Sequence, residues 1–232
     1  MKIIILCGGL GTRLGLETKM TPKPMVKIGG KPILEHIINI YKKYGFKHFI
    51  LALGYKGKII REYFKNNSNI KCVNTGLKSN TGARLYKLKK YFDDKENFML
   101  TYGDGLSNQN IKKLLNFHIK HKKIGTITAV RPPARFGEII IKKNILVDKF
   151  QEKPRVSSSW INGGFFVFNY KIFKYINDTN EIFEYGPLVR LVKAKQLTAY
   201  KHKGFWQCMD TPRDRKLLDK IIRSKNTTLS TF

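Results

Sequence analysis

The stretch Lys2-Ile3-Ile4-Ile5-Leu6-Cys7-Gly8-Gly9-Leu10-Gly11-Thr12-Arg13-Leu14 decides how this chain is read. An apolar run of strand length ends abruptly in glycines, followed by a hydroxyl and a guanidinium. Glycines leave room for a backbone to approach a phosphate, bare N–H groups line the approach, and Arg13 adds a charged fork. Shortly after comes Thr21-Pro22-Lys23-Pro24-Met25, a lysine held between two prolines. The combination reads as a site for a nucleoside triphosphate. It is neither common glycine fingerprint. Leu14 stands where a dinucleotide-binding turn needs its third glycine, and the Gly-Lys-Ser/Thr of a P-loop is absent.

Working outward, 232 residues suffice for one large α/β domain with a substantial core, and no Pro-, Ser- or Gly-rich linker or repeat divides them. The net charge of +29 is carried by dispersed lysines, including the pairs Lys42-Lys43, Lys89-Lys90, Lys112-Lys113, Lys122-Lys123 and Lys142-Lys143, rather than by one block. Neither zinc-finger spacing nor an RNA-recognition aromatic motif accompanies them, which disfavours nucleic acid as partner. The charge still draws in anionic substrates and makes their binding salt-sensitive. The sequence lacks a secretory h-region and any apolar run of membrane-spanning length, and its three cysteines form no C-x-x-C pair. A cytoplasmic protein in a reduced compartment, without membrane attachment, is expected.

Spacing predicts helices over Pro32–Tyr44, Lys56–Lys65, Thr81–Phe92 and Gln109–His121, alternating with strands at His48–Leu53 and Asn97–Tyr102. This alternation argues for an α/β fold, a parallel or mixed sheet with helices on both faces. The second half is β-rich, at Gly125–Val130, Gly137–Lys142, Ile145–Phe150 and Gly163–Phe168. These segments read as antiparallel additions that build a pocket, closed by helices at Leu188–Lys195 and Arg213–Ile222. Ligands of open α/β sheets bind beyond the carboxyl ends of strands, where the first glycine loop and Gly103-Asp104-Gly105 both fall.

Asp104 between glycines suits a carboxylate reaching Mg²⁺ on phosphates, and suits an Asp-Gly turn equally well. Asp210, in Phe205-Trp206-Gln207-Cys208-Met209-Asp210-Thr211-Pro212, is a second metal candidate or a helix-start signal. Lys23 and Lys153 are phosphate candidates, with Glu152 placed to accept from hydroxyls beside Lys153. Asn162-Gly163-Gly164 fits close contact with a polyol or a plain turn. Cys7 reads as a small buried residue, and His118 and His121 as structural or surface residues.

The ordered set resembles the sugar-phosphate nucleotidyltransferases, whose G-G-x-G-T-R-L and downstream P-K-P match Gly8–Leu14 and Pro22–Pro24. Within that family the likeness is to the cytidylyltransferases acting on glucose 1-phosphate. It is carried by Thr101-Tyr102-Gly103-Asp104-Gly105, Pro132-Pro133-Ala134-Arg135-Phe136-Gly137, Phe150–Pro154, Ile161–Phe166 and Gly204–Asp214, nearly end to end. The resemblance implies a single-domain, Rossmann-like mixed sheet flanked by helices, of GT-A-like architecture. Residues 1–123 would form the nucleotide-binding half, and residues 124–232 a β-rich half that binds sugar phosphate. It implies an enzyme joining CTP and glucose 1-phosphate with release of pyrophosphate, or a relative using another NTP or sugar 1-phosphate, such as a heptose 1-phosphate. The alternative, a non-catalytic sugar-nucleotide-binding protein, predicts loss of Arg13, Lys23 or a metal aspartate, and all are present. Leu6, Gly8, Gly9, Leu10, Gly11, Thr12, Arg13, Lys23, Ser79, Arg84 and Gly103 would meet the nucleotide, with Arg13 and Lys23 also catalytic. Glu152, Lys153, Asn162 and Gly163 would meet the sugar phosphate, and Asp104 and Asp210 would hold Mg²⁺. One departure is the short connection from Tyr63-Phe64 to Asn74-Thr75-Gly76, where the cytidylyltransferases carry a longer insertion used in base recognition and subunit contacts. The base, the sugar and a possible homo-oligomer therefore stay open.

Overall fold

Lys2–Cys7 forms strand β1, in which Ile3, Ile5 and Cys7 enter one core and Ile4 and Leu6 another. A strand buried on both faces belongs in the middle of a sheet, and that is where the structure, a computed structural model, puts it. Residues 1–132, 137–141, 145–152, 159–177 and 179–224 are described.

The first half continues with α1 (Glu17–Met20), β2 (Lys27–Ile28), β3 (Lys31–Pro32), α2 (Ile33–Lys42), β4 (His48–Leu53), α3 (Gly57–Phe64), β5 (Ile70–Asn74), α4 (Thr81–Lys87), β6 (Asn97–Tyr102), β7 (Gly105–Ser107) and α5 (Ile111–His121). The second half adds β8 (Gly125–Val130), β9 (Glu138–Ile141), β10 (Val147–Gln151), β11 (Ile161–Asn169), α6 (Pro187–Lys193), β12 (Leu197–His202), β13 (Trp206–Cys208) and α7 (Pro212–Arg223).

Seven strands form one sheet in the order β12-β8-β11-β6-β1-β4-β5. β1 runs parallel to β4 and β6, and β4 to β5, whereas β11 is antiparallel to both β6 and β8. The carboxyl ends of β1, β4 and β6 therefore share an edge with the amino end of β11. That shared edge is where the site lies. Helices α2, α3, α5 and α7 cover one face of the sheet, and α4 and α6 the other. Each buried Ile, Leu or Phe contributes about 1.5–3 kcal/mol relative to exposure. Among the described residues no helix is long and apolar enough to cross a membrane.

The structure amends the sequence reading in three places. The connection from residue 64 to 74 contains the edge strand β5, whose Lys71 is exposed and whose Cys72 and Val73 are only half-buried, so its apolar pattern is faint. The second half is not wholly antiparallel: β12 pairs parallel with β8, while β9 and β10 form a ribbon apart from the main sheet and β13 pairs antiparallel with β7. The helix predicted over Thr81–Phe92 ends at Lys87 and tightens into a 3₁₀ turn at Lys89–Tyr91.

Candidate active site

Along the shared edge lie two adjoining cavities of ≈ 550 and ≈ 720 Å³. The smaller is lined by the first glycine loop from Leu6 to Arg13, by Lys23, by residues 77–81, and by Arg84 and Gly103. The larger is lined by Asn162, Gly163, Pro132, Gly137, Trp206 and Asp210, among others. Arg13, Tyr102 and Asp104 line both.

Between the cavities sits the centre of the arrangement. The Lys23 ammonium donates at 2.6 Å to Asp104 Oδ2 and at 2.6 Å to Asp210 Oδ1. Arg13 Nη1 donates to the other Asp210 oxygen at 3.0 Å. Local structure explains each placement. Lys23 opens a 3₁₀ turn whose flanking Pro22 and Pro24 are buried, so its stem leaves a fixed backbone. Ribbon β7–β13 pairs Gly105 with Cys208, and Met209 N–H then donates to Asp104 C=O at 2.8 Å. The ribbon thereby brings together carboxylates 106 positions apart in the chain (210 minus 104). The start of α7 is capped by Thr211 and Asp214 in a reciprocal capping box, which leaves the Asp210 carboxylate turned to Lys23 and Arg13. Burial disfavours the charge on Lys23, yet the two carboxylates outweigh it and hold its pKa above the ordinary lysine value.

On the smaller cavity's wall, Ser79 Oγ donates to Thr75 C=O at 2.5 Å and accepts from Lys87 Nζ at 2.9 Å. Arg84, expected to meet a nucleotide, lies under the glycine loop and is 4% exposed. Its terminal nitrogens donate to the carbonyls of Gly8, Leu53, Gly76 and Leu77 and to Thr75 Oγ1, at 2.7–3.3 Å. All are protein acceptors, which makes the side chain a strut of the wall. Burial pushes its pKa down.

On the larger cavity's side, β11 shifts register against β8 between Asn162 and Phe166, and Gly164 within the shift has φ +75°. This bulge turns Asn162 and Gly163 into the cavity. A Cβ on Gly164 would stand 2.6 Å from the Tyr102 ring, so glycine is required there. Trp206 Nε1 donates to Gly163 C=O at 2.7 Å. Glu152 follows β10 directly, with its carboxylate beside Gly137, which lines the cavity. Lys153 lies outside the described residues, as do residues 133–136 of the Pro132–Gly137 motif. Cys7 is buried and its thiol pKa is pushed up by that burial, as expected of a packing residue. Sequence reasoning assigns no role to Tyr102 or Trp206, although both fall within the Thr101–Gly105 and Phe205–Pro212 motifs. Tyr102 bridges the cavities, and its hydroxyl donates to Glu184, a residue with no local sequence signal.

The profile of the Nucleotidyl transferase family matches residues 2–211 of the chain. The chain belongs to that family. The transferase is 43% identical, over 95% of each chain, to "Glucose-1-phosphate cytidylyltransferase" of Salmonella typhimurium. Among solved structures, HddC from Yersinia pseudotuberculosis complexed with GMP-PN superposes with a TM-score of 0.74 at 28% identity, covering 95% of this chain and 99% of that one. UDP-glucose pyrophosphorylase complexed with UDP-glucose superposes with a TM-score of 0.75 at 18% identity, covering 97% and 99%, which speaks for the fold alone. The alignment with the Salmonella protein runs over 246 positions against 232 residues in the transferase, so the relative carries residues that this chain lacks.

Proposed function

We propose that this transferase joins CTP to glucose 1-phosphate, releasing pyrophosphate and forming CDP-glucose. The observation that carries the proposal is the Lys23 ammonium held between Asp104 and Asp210, with a glycine-walled cavity on one side and a polar, glycine-containing cavity on the other. The 43% identity to a glucose-1-phosphate cytidylyltransferase supports the choice of base and sugar.

In this reading a phosphate oxygen of glucose 1-phosphate attacks the α-phosphorus of CTP in line with the bond to the departing pyrophosphate. The nucleophile is already an anion, so no side chain needs to remove a proton. What the protein must do is hold two mutually repelling anions together and offset the charge that gathers on the leaving group. The glycine-loop N–H groups and Arg13 serve the triphosphate. Asn162, Gly163, Glu152 and Lys153 serve the sugar phosphate from the other cavity. Residues 1–123 thus act mainly on the nucleotide and residues 124–232 mainly on the sugar.

Asp104 and Asp210 fit a hard divalent cation, because oxygens from both already converge on one cationic atom at 2.6 Å. Bound Mg²⁺ would supply Lewis-acid stabilisation of phosphate charge. Lys23, whose ammonium stands between the two cavities, would serve phosphate oxygens.

The runner-up is the same chemistry on another NTP or sugar 1-phosphate, such as a heptose 1-phosphate. It is favoured by the residues this chain lacks relative to the Salmonella protein. The test is pyrophosphate release with Mg²⁺ over a grid of five NTPs and several sugar 1-phosphates. Release with CTP and glucose 1-phosphate is expected. Preference for another pair replaces the substrates, and no release from folded protein replaces catalysis with binding.

A further inference from the structure

The glycine loop can serve a triphosphate only if its N–H groups face the cavity, and the structure shows what turns them. Gly8 C=O accepts from Arg84 Nη2 at 2.8 Å and from Tyr55 N–H at 3.1 Å, both from the body of the protein. The described residues contain no cis peptide, and in a trans peptide the carbonyl and the N–H point in opposite directions. Pinning Gly8 C=O inward therefore aims Gly9 N–H outward, to the cavity that Gly9 lines. Among the described residues, Gly9 N–H has no protein acceptor.

Two further positions are shaped around this contact. A Cβ on Gly8 would collide with the Arg84 guanidinium. A Cβ on Gly54, at the end of β4, would stand 2.6 Å from both Arg84 Nη1 and Gly8 C=O. Neither Gly8 nor Gly54 has positive φ, so close approach and not backbone conformation demands glycine here. The other bonds of Arg84 tie down Leu53, Thr75, Gly76 and Leu77, which joins the glycine loop to the opposite wall of the same cavity.

We infer that Arg84 is a positioning residue that acts through the Gly8–Gly9 peptide, and that Gly54 is the second part of the same device. Arg84 shapes nucleotide affinity by holding the peptide whose N–H faces the cavity. This rests on the reading that the smaller cavity takes the nucleotide.

The distinguishing variant is Gly54→Ala, which leaves the Arg84 side chain chemically intact but displaces its contact with Gly8. Alongside it stand Arg84→Lys, which keeps the charge and loses the fork, and the double variant. Each is checked for wild-type circular dichroism. CTP affinity is then measured by equilibrium titration, and KM for each substrate and kcat by pyrophosphate release. The expected result is a roughly ten-fold or larger rise in the CTP Kd and KM for each single variant, with the glucose 1-phosphate KM unchanged. The double variant should fall well short of the product of the two, because both act on one contact. A wild-type CTP Kd in folded Gly54→Ala, with Arg84→Lys impaired, overturns the inference and returns Arg84 to direct contact. So does full multiplicativity in the double variant. If Gly54→Ala does not fold, Thr75→Val removes one acceptor of the fork and is read against Arg84→Lys in the same way. Failure of the functional reading looks different: the wild type itself then neither binds CTP nor releases pyrophosphate.

Discussion

The two walls of the site are built in opposite ways. The glycine-loop wall hangs from the middle of a seven-stranded sheet and is tied from behind by a buried guanidinium with five protein acceptors. The opposite wall draws on a bulge in β11 and on ribbon β9–β10, which stands apart from the main sheet with Ile139, Ile140, Ile141, Val147 and Phe150 exposed. A two-stranded ribbon has little stability of its own. The contrast fits the two tasks proposed for these walls, phosphate on one side and sugar on the other. Stabilising phosphate charge needs donors fixed before the substrate arrives, since reorganising dipoles during reaction is costly. A sugar is recognised by exchangeable hydroxyl contacts, which a peripheral element can supply.

The sharpest way to break this comparison is at the centre both walls share. Lys23→Ala and Asp104→Ala should each lower pyrophosphate release by about a hundred- to a thousand-fold while leaving the circular dichroism unchanged. Wild-type turnover in either folded variant removes that residue from the mechanism. Chelation of divalent metal should abolish release and Mg²⁺ should restore it; full activity in excess chelator would reassign Asp104 and Asp210 to pairing with Lys23 alone.

The sugar-side wall should give a smaller and differently distributed effect. Asn162→Ala and Lys153→Ala should raise the glucose 1-phosphate KM about ten-fold, roughly the value of one or two hydrogen bonds, with the nucleotide KM close to wild type. Equal changes in both KM values would mean that the walls are not functionally separate.

Smaller still are two effects on stability away from the chemistry. Thr211→Ala removes the cap of α7 and should cost about 1 kcal/mol in urea unfolding. A loss of activity larger than this stability change would show that the cap also holds Asp210. The second effect concerns His118, buried against β8 with Nδ1 2.9 Å from Thr126 Oγ1, whose pKa burial lowers from 6.5 to about 4. The unfolded chain then binds a proton that the folded chain refuses. Stability from this group is complete above about pH 6.5 and is lost as pH falls toward 4, about 3 kcal/mol across the window. His118→Gln should flatten the acid limb of the urea midpoint. An unchanged limb would place the acid sensitivity elsewhere, with His36 and His202, whose pKa values burial also lowers, next in line.

Much of this was legible in the chain, for local reasons. A five-residue apolar run followed by glycines specifies a buried parallel strand with an open exit, and β1, β4, β6 and β8 fall at the residues their patterns predict. Where burial is partial, the pattern fades. β5 and β12 end the sheet, and their half-exposed side chains carry too little apolar contrast to announce a strand. Asp104 and Asp210 could be nominated from their motifs, but each motif was equally compatible with an ordinary turn or helix start.

The sequence by itself determined the alternation of elements, the glycine loop and the residue types available for phosphate and metal, because these depend on local sterics and periodicity. Only the tertiary structure decided which of them meet. The β7–β13 pairing carries Asp104 and Asp210 to one ammonium, and the packing of α4 into the core shared with β1 brings the Arg84 guanidinium to the Gly8 carbonyl. Contacts between residues tens of positions apart are fixed by strand pairing and packing, and no local pattern encodes them.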